Sequence, residues 1–154
     1  MSKCPVDLWR GVHVDEFPNG PIVDGEAVAG VMYPTFERKR VGTHPDGQPK
    51  YRKADVVVID GKVQPGGGTS LYDKSQFFRG GNWKYLSIPA GTEMDPNLKL
   101  VGPHWNELVE ANHYQLEALK PMYLAVFKGA MDNLARAAVK RAYENARKQH
   151  RDTR

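Results

Sequence analysis

The chain has 154 residues, 40% of them hydrophobic, 26% charged and 10% aromatic, which fits a single domain spanning 1–154 and excludes a fibrous or wholly disordered chain. Its net charge of +4, from 22 basic and 18 acidic side chains, is mild, and much of the excess lies after residue 139 in "KRAYENARKQHRDTR". The lone cysteine, Cys4, excludes an internal disulfide framework and a multi-cysteine zinc site, and no window approaches the roughly 20 apolar residues of a membrane-spanning helix.

In chain order, the opening "MSKCPVDLWRG" lacks the apolar core of a secretory signal. The expected product is a soluble cytoplasmic protein whose export would not read a cleavable signal. "VDLWRGVHV" has the mixed apolar, aromatic and polar pattern of a strand, with Arg10 inside it. The Gly- and Pro-rich stretch that follows, including "FPNGP" and "GTHPDGQPKYRK", predicts irregular loops, with a helical turn or more in "GEAVAGVMY". "ADVVVIDGKVQP" predicts a strand that turns at Asp60-Gly61, a dipeptide tolerant of positive φ. After the glycine run Gly66-Gly67-Gly68, "SLYDKSQFF" predicts a short helix or strand and "WKYLSIPAG" a strand ended by Pro89 and Gly91. "MDPNLKLVG" predicts a turn and strand, "PHWNELVEAN" a short helix after Pro103, and "HYQLEAL" a further strand. The last element is a helix from about Pro121 to Arg147, with Leu124, Phe127, Met131, Leu134, Ala138 and Ala142 on one apolar face. The expected fold class is α+β: a sheet of short strands covered by the C-terminal helix and long N-terminal loops.

Several chemistries are excluded by missing patterns. The triple glycine is followed by Thr69-Ser70 without the lysine of a nucleotide triphosphate loop. His13, His44, His104, His113 and His150 are scattered without metal-ligand spacing, so no metal is expected, and no Gly-x-Ser-x-Gly elbow is present. What remains is a set of polar residues on predicted strands: Arg10, Thr69, Ser70, His113 and Tyr114. Each has a structural reading, because a hydroxyl after a glycine turn can satisfy backbone groups and a strand arginine can snorkel. Together they have a chemical one. Glycine lets a ligand approach the backbone, a hydroxyl bonds a ribose, and arginine binds phosphate, which suggests a dinucleotide held outside a Rossmann fold.

In the order and spacing of these blocks, "LWRGV", Pro34-Thr35-Phe36, "GGTS" followed by an apolar pair and Asp73, "IPAGT", "DPNLKL", "HY" and "KPMY", the chain resembles the second exported-effector family of type VI secretion. These are small bacterial toxins with an ADP-ribosyltransferase-like fold. The resemblance implies NAD as substrate, action in the target-cell cytoplasm on an unknown intracellular target, export by the secretion machinery and a cognate immunity protein. It carries the first-strand arginine to Arg10, the hydroxyl pair to Thr69 and Ser70, and the later histidine to His113. In the superfamily a third motif usually supplies a glutamate; "HYQLEAL" is read as lacking that motif's Gln-x-Glu or Glu-x-Glu pair, and Glu117 is the nearest candidate.

On this reading a phosphate of NAD lies against Arg10 and the nicotinamide near the backbone of Gly11, while Gly68, Thr69 and Ser70 line the adjoining ribose. Ser70 and His113 assist cleavage, with transfer of ADP-ribose to a target or to water. Trp83, Tyr85 and Tyr114 are the aromatic side chains available for stacking. Two other classes stay open: a nucleic-acid-binding module using Arg141, Arg147, Lys148, Arg151 and Arg154 of the basic helix end, and a catalytically inactive interaction domain.

Overall fold

The computed structural model describes residues 2–152; Arg154 of the basic helix end lies outside them. The elements are β1 (Leu8–His13), β2 (Ile22–Val23), β3 (Glu26–Ala27), β4 (Lys39–Thr43), β5 (Pro49–Arg52), β6 (Val58–Ile59), β7 (Lys62–Val63), β8 (Gly68–Tyr72), β9 (Trp83–Ile88), β10 (Leu98–Asn106), β11 (Ala111–Ala118), β12 (Met122–Tyr123) and α1 (Leu124–Asp152). A five-stranded antiparallel sheet in the order β10-β11-β8-β1-β9 is the frame, and β12-β7-β6, β2-β3 and β4-β5 form small antiparallel ribbons. The expected α+β class is what the chain adopts.

Period-2 alternation decides what the main sheet buries. Leu8 and Val12 of β1, Leu71 of β8, Leu86 and Ile88 of β9, and Leu116 and Ala118 of β11 enter one contiguous core. The register joins them: Leu8 pairs with Ile88, and Leu116 with Thr69. α1 closes this core with Phe127, Ala130, Met131, Leu134, Ala135 and Ala138, which recur at helical spacing, while Ala142 is only half-buried. Cys4 is also buried, its thiol donating to the Val6 carbonyl at 3.1 Å, and burial pushes its pKa up. That is the behaviour of an inert structural thiol.

Four expected elements differ. "GEAVAGVMY" contains no helix: Asp24 and Gly25 take φ of 54° and 79°, and this Asp-Gly turn pairs β2 with β3 as a hairpin. "PHWNEL" is strand rather than helix as far as Asn106, because His104, Trp105 and Asn106 pair with His113, Asn112 and Ala111 beyond an irregularity at Val101/His104. Long-range pairing there overrides local preference. α1 begins three residues after Pro121, since Met122 and Tyr123 are held in strand by Val63 and Lys62. The strand in "ADVVVID" shrinks to Val58–Ile59, but the turn at Asp60-Gly61 forms with φ of 51° and 75°.

The helix–sheet contact should dominate stability. Phe127 is fully buried, so Phe127→Ala is expected to cost about 3–5 kcal/mol in denaturant unfolding. Tyr143→Ala, at a position 64% exposed on the same helix, should change stability by no more than about 0.5 kcal/mol.

Candidate active site

β1 and β8 are neighbours in the sheet, yet they pair at one position, Trp9 with Tyr72. Extending that register would bring Gly11 opposite Ser70, but no such pairing forms. β1 instead follows β9 along its whole length, and β8 follows β11. A cleft of about 320 Å³ lies where the two strands part, and Arg10, Gly11, Ser70 and Tyr72 all line it.

Arg10 is held by carbonyls. Its Nε donates to Val31 at 3.3 Å and its Nη2 to Tyr33 at 3.1 Å. Burial pushes its pKa down, while the nearby carboxylates Asp55 and Glu16, both in the cleft lining, push it back up. The segment carrying those carbonyls is fixed from α1. Asp132 accepts the Gly30 amide at 3.0 Å and the Tyr33 hydroxyl at 2.7 Å. Burial, and then Asp132, push the Tyr33 hydroxyl up to about 12, so it stays a neutral donor. Helix, loop and arginine thus form one relay of hydrogen bonds, in which Asp132 positions Arg10 without touching it.

The opposite wall is aromatic. Phe77, Phe78, Trp83 and Tyr72 line the cleft. Their rings run in contact, Tyr72 to Phe77 at 4.4 Å, Phe77 to Phe78 at 4.6 Å and Phe78 to Trp83 at 4.3 Å between centroids. Tyr85 is not a stacking residue: its hydroxyl accepts from the Phe78 amide at 3.0 Å and donates to the Phe78 carbonyl at 3.1 Å, which pins the wall. Gly11 lets the wall approach, because a Cβ there would stand 3.2 Å from Phe77 and 3.3 Å from Phe78. Phe77 and Phe78 escaped the sequence reading; the adjacent aromatic pair ahead of "RGGN" was the available signal.

The predicted hydroxyl pair is divided by the pleat. Ser70 lines the cleft, with its Oγ 3.0 Å from Nε2 of His113. Thr69 is fully buried on the other face and donates to the Met32 carbonyl at 2.7 Å, so the ribose contact expected of it is not available. Gly68 is also buried and absent from the cleft lining; a Cβ there would run into the Leu116 carbonyl. Tyr114, next to His113, points to the core face and lines a separate cavity with Met94 and Leu98. Among the residues singled out from sequence, the structure therefore brings together Arg10, Gly11, Ser70, His113 and Trp83, and leaves Thr69, Gly68 and Tyr114 outside.

A family model, that of the Tse2 ADP-ribosyltransferase toxins, matches residues 5–143, a span that contains every element of the cleft. The chain belongs to this family. It is 33% identical over 143 residues to toxin Tse2 of Pseudomonas aeruginosa, an alignment covering 92% of this chain and 84% of the relative. It is accordingly a toxin of the ADP-ribosyltransferase class, an enzyme class whose substrate is NAD.

Within this Tse2-family fold, Glu117 resolves differently from a free catalytic acid. Contrary to the reading of "HYQLEAL" from sequence, Gln115-Leu116-Glu117 does have the Gln-x-Glu spacing of the superfamily's third motif, and Gln115 and Glu117 stand opposite Ser70 and Gly68. The Glu117 carboxylate, however, is buried and engaged. It accepts the Gly66 amide and the Gln115 side-chain amide, each at 2.8 Å, and pairs with Lys99 at 3.8 Å. It ties the glycine turn to β11 and is not part of the cleft lining. Among the described residues no three His, Cys, Asp or Glu side chains gather as a metal site, and no helix is long and apolar enough to cross a membrane.

His113 sits behind Ser70 with its ring 5.2 Å from that of Tyr72. Burial, and then the neighbouring His104, hold it below the ordinary 6.5, so it is a neutral hydrogen-bond partner for Ser70 at pH 7. Because the unfolded chain takes this proton first on acidification, His113 lowers stability as pH falls below 6.5 and has no such effect above it. A His113 ring titration by NMR should show a midpoint below 6.5 that moves upward in His104→Ala. His113→Gln should flatten the acid-side loss of stability.

Proposed function

We propose that the cleft binds NAD by its nicotinamide-ribose end and cleaves the nicotinamide–ribose bond, passing ADP-ribose to an intracellular target or to water. The observation that carries this reading is the parting of β1 from β8, which collects Arg10, Ser70 backed by His113, and an aromatic wall at one opening. A cleft of about 320 Å³ suits one end of a dinucleotide, with the remainder extending along the surface.

Arg10 meets a phosphate with the donors its two carbonyl bonds leave free. The aromatic wall stacks on the nicotinamide, and Ser70 holds the ribose, its hydroxyl oriented by His113. The glycosidic bond breaks heterolytically and nicotinamide leaves with the electron pair. The ribose cation is then captured by an acceptor oxygen or nitrogen, which gives up its proton. Glu16 and Asp55 are the carboxylates in the cleft lining that can face that developing positive charge. Family membership supports the toxin role. By the same reading the protein is an effector exported by a contact-dependent machine and restrained at home by an immunity protein.

Nicotinamide release from NAD, followed with and without target-cell lysate, tests the site. Ser70→Ala and His113→Ala are each expected to lower kcat/KM about 100-fold. Asp132→Asn should raise KM more than it lowers kcat, as a positioning residue does. Thr69→Val should cost about 1–3 kcal/mol of stability by orphaning the Met32 carbonyl, with little change per folded molecule. Glu117→Gln keeps an acceptor for Gly66 and should stay active; a drop of about 100-fold or more would restore Glu117 as the catalytic acid. Expression in a susceptible bacterium should arrest growth for the wild type and not for Ser70→Ala. A wild type that neither binds nor consumes NAD sinks the proposal.

A further inference from the structure

The β4–β5 hairpin rises from the rim of the cleft. Its stem is clamped where Asp55 accepts the Thr35 amide at 2.9 Å and returns its own amide to Thr35 Oγ1 at 2.8 Å, and both residues line the cleft. Beyond the clamp every residue of β4 and β5 is exposed. Such a ribbon contributes nothing to the core.

Its charge is concentrated. Residues 38–53 contain six lysines and arginines against one acid, Asp46, a net +5 that exceeds the +4 of the whole chain. Lys39 stands directly across from Arg52, a like-charge cross-strand pair that disfavours the ribbon unless an anion lies between them. Arg52 reaches only the clamp carboxylate, at 3.8 Å, and Lys39, Lys50 and Lys53 have no ion-pair partner among the described residues. At the basic end of α1, Arg141 pairs with Glu144 at 4.0 Å, the His150–Arg151 turn complements the helix dipole, and Arg147 stands 5.8 Å from the centroid of exposed Tyr143. The hairpin also carries an aromatic ring in the right company. Tyr51 is 45% exposed, pairs with Arg40, and has the Arg38 guanidinium 4.2 Å from its centroid. An exposed ring with a guanidinium beside it is a stacking platform for an unpaired base.

We propose that this hairpin docks a single-stranded nucleic acid that wraps the ribbon, its phosphates on Lys39 and Lys50 of one face and on Arg40 of the other, where a base lies on Tyr51, so that the strand runs past the mouth of the cleft, where Arg52 stands. Docking is independent of the NAD reading; its meaning as target selection rests on that reading.

The test measures binding of labelled single-stranded RNA and DNA homopolymers to the full chain by fluorescence anisotropy, without NAD, over a range of salt, with polyglutamate as the competing polyanion. The Ser70→Ala background avoids toxicity and separates docking from turnover. Lys39→Ala/Arg40→Ala/Lys50→Ala should weaken oligonucleotide binding at least tenfold and reduce the salt slope by about 2, at about 0.7 per lost phosphate contact. Tyr51→Ala should weaken it about tenfold and Tyr51→Phe should not. Lys140→Ala/Lys148→Ala/Arg151→Ala, at the helix end, should bind as the wild type does. The inference is overturned if no oligonucleotide binds, if polyglutamate binds as tightly, or if the helix-end variant is the one that loses binding. A chain that binds oligonucleotide through the hairpin but does not consume NAD keeps this inference and loses only the transferase reading.

Discussion

The constraint on which the site depends is that β1 cannot follow two partners at once. It pairs with β9 over six positions and with β8 over one. A sheet twists, and a strand that stays in step with one neighbour can drift out of step with the other. Here the drift begins immediately beyond Trp9–Tyr72, and the backbone edges it exposes lie at Gly11 and Ser70. The opening is made from the main sheet itself, and its two lips are as rigid as the strand pairs behind them.

Each lip is then set by a residue outside the cleft lining. On the β1 side, Asp132 of α1 reaches into the loop of Gly30 and Tyr33, and the loop's carbonyls aim Arg10. On the β8 side, Glu117 holds Gly66, and the two glycines that follow are packed against backbone: a Cβ on Gly67 would meet the Asp55 carbonyl, and one on Gly68 the Leu116 carbonyl. The triple glycine is therefore a knot between the cleft rim and β11, in which Gly66 turns the chain and Gly67 and Gly68 allow close approach. Only Gly66 of the three takes a positive φ, 101°. A buried carboxylate with several donors is a strong local fastener, because removing it would orphan all of them together.

The strands that line the cleft were legible from alternation and composition, and the family blocks pointed to Arg10, Thr69, Ser70 and His113, of which Thr69 faces the core. What could not be read was the choice between neighbours. Thr69 and Ser70 are chemically alike, and only the pairing of β8 with β11, a contact between residues far apart in sequence, sends one hydroxyl to the core and the other to the cleft. Tyr114 and His113 are separated by the same pleat. The helix expected in "PHWNEL" failed for the same reason, since its conformation is imposed by β11 rather than chosen locally. Glu117 shows the converse: its spacing could be read directly, but its role is decided by Gly66, 51 positions away.

The Thr35–Asp55 clamp joins positions 20 apart, and beyond Phe36, whose ring packs against Phe127, the β4–β5 strands it encloses are wholly exposed. Loop-closure entropy grows slowly, by only about 0.6 kcal/mol for each doubling of length. The enclosed segment is thus almost free to lengthen, shorten or reverse its charge without disturbing Arg10 or Ser70. A fold built this way can vary the hairpin while keeping the cleft behind it intact, so variation among relatives should gather in β4 and β5, beyond Phe36.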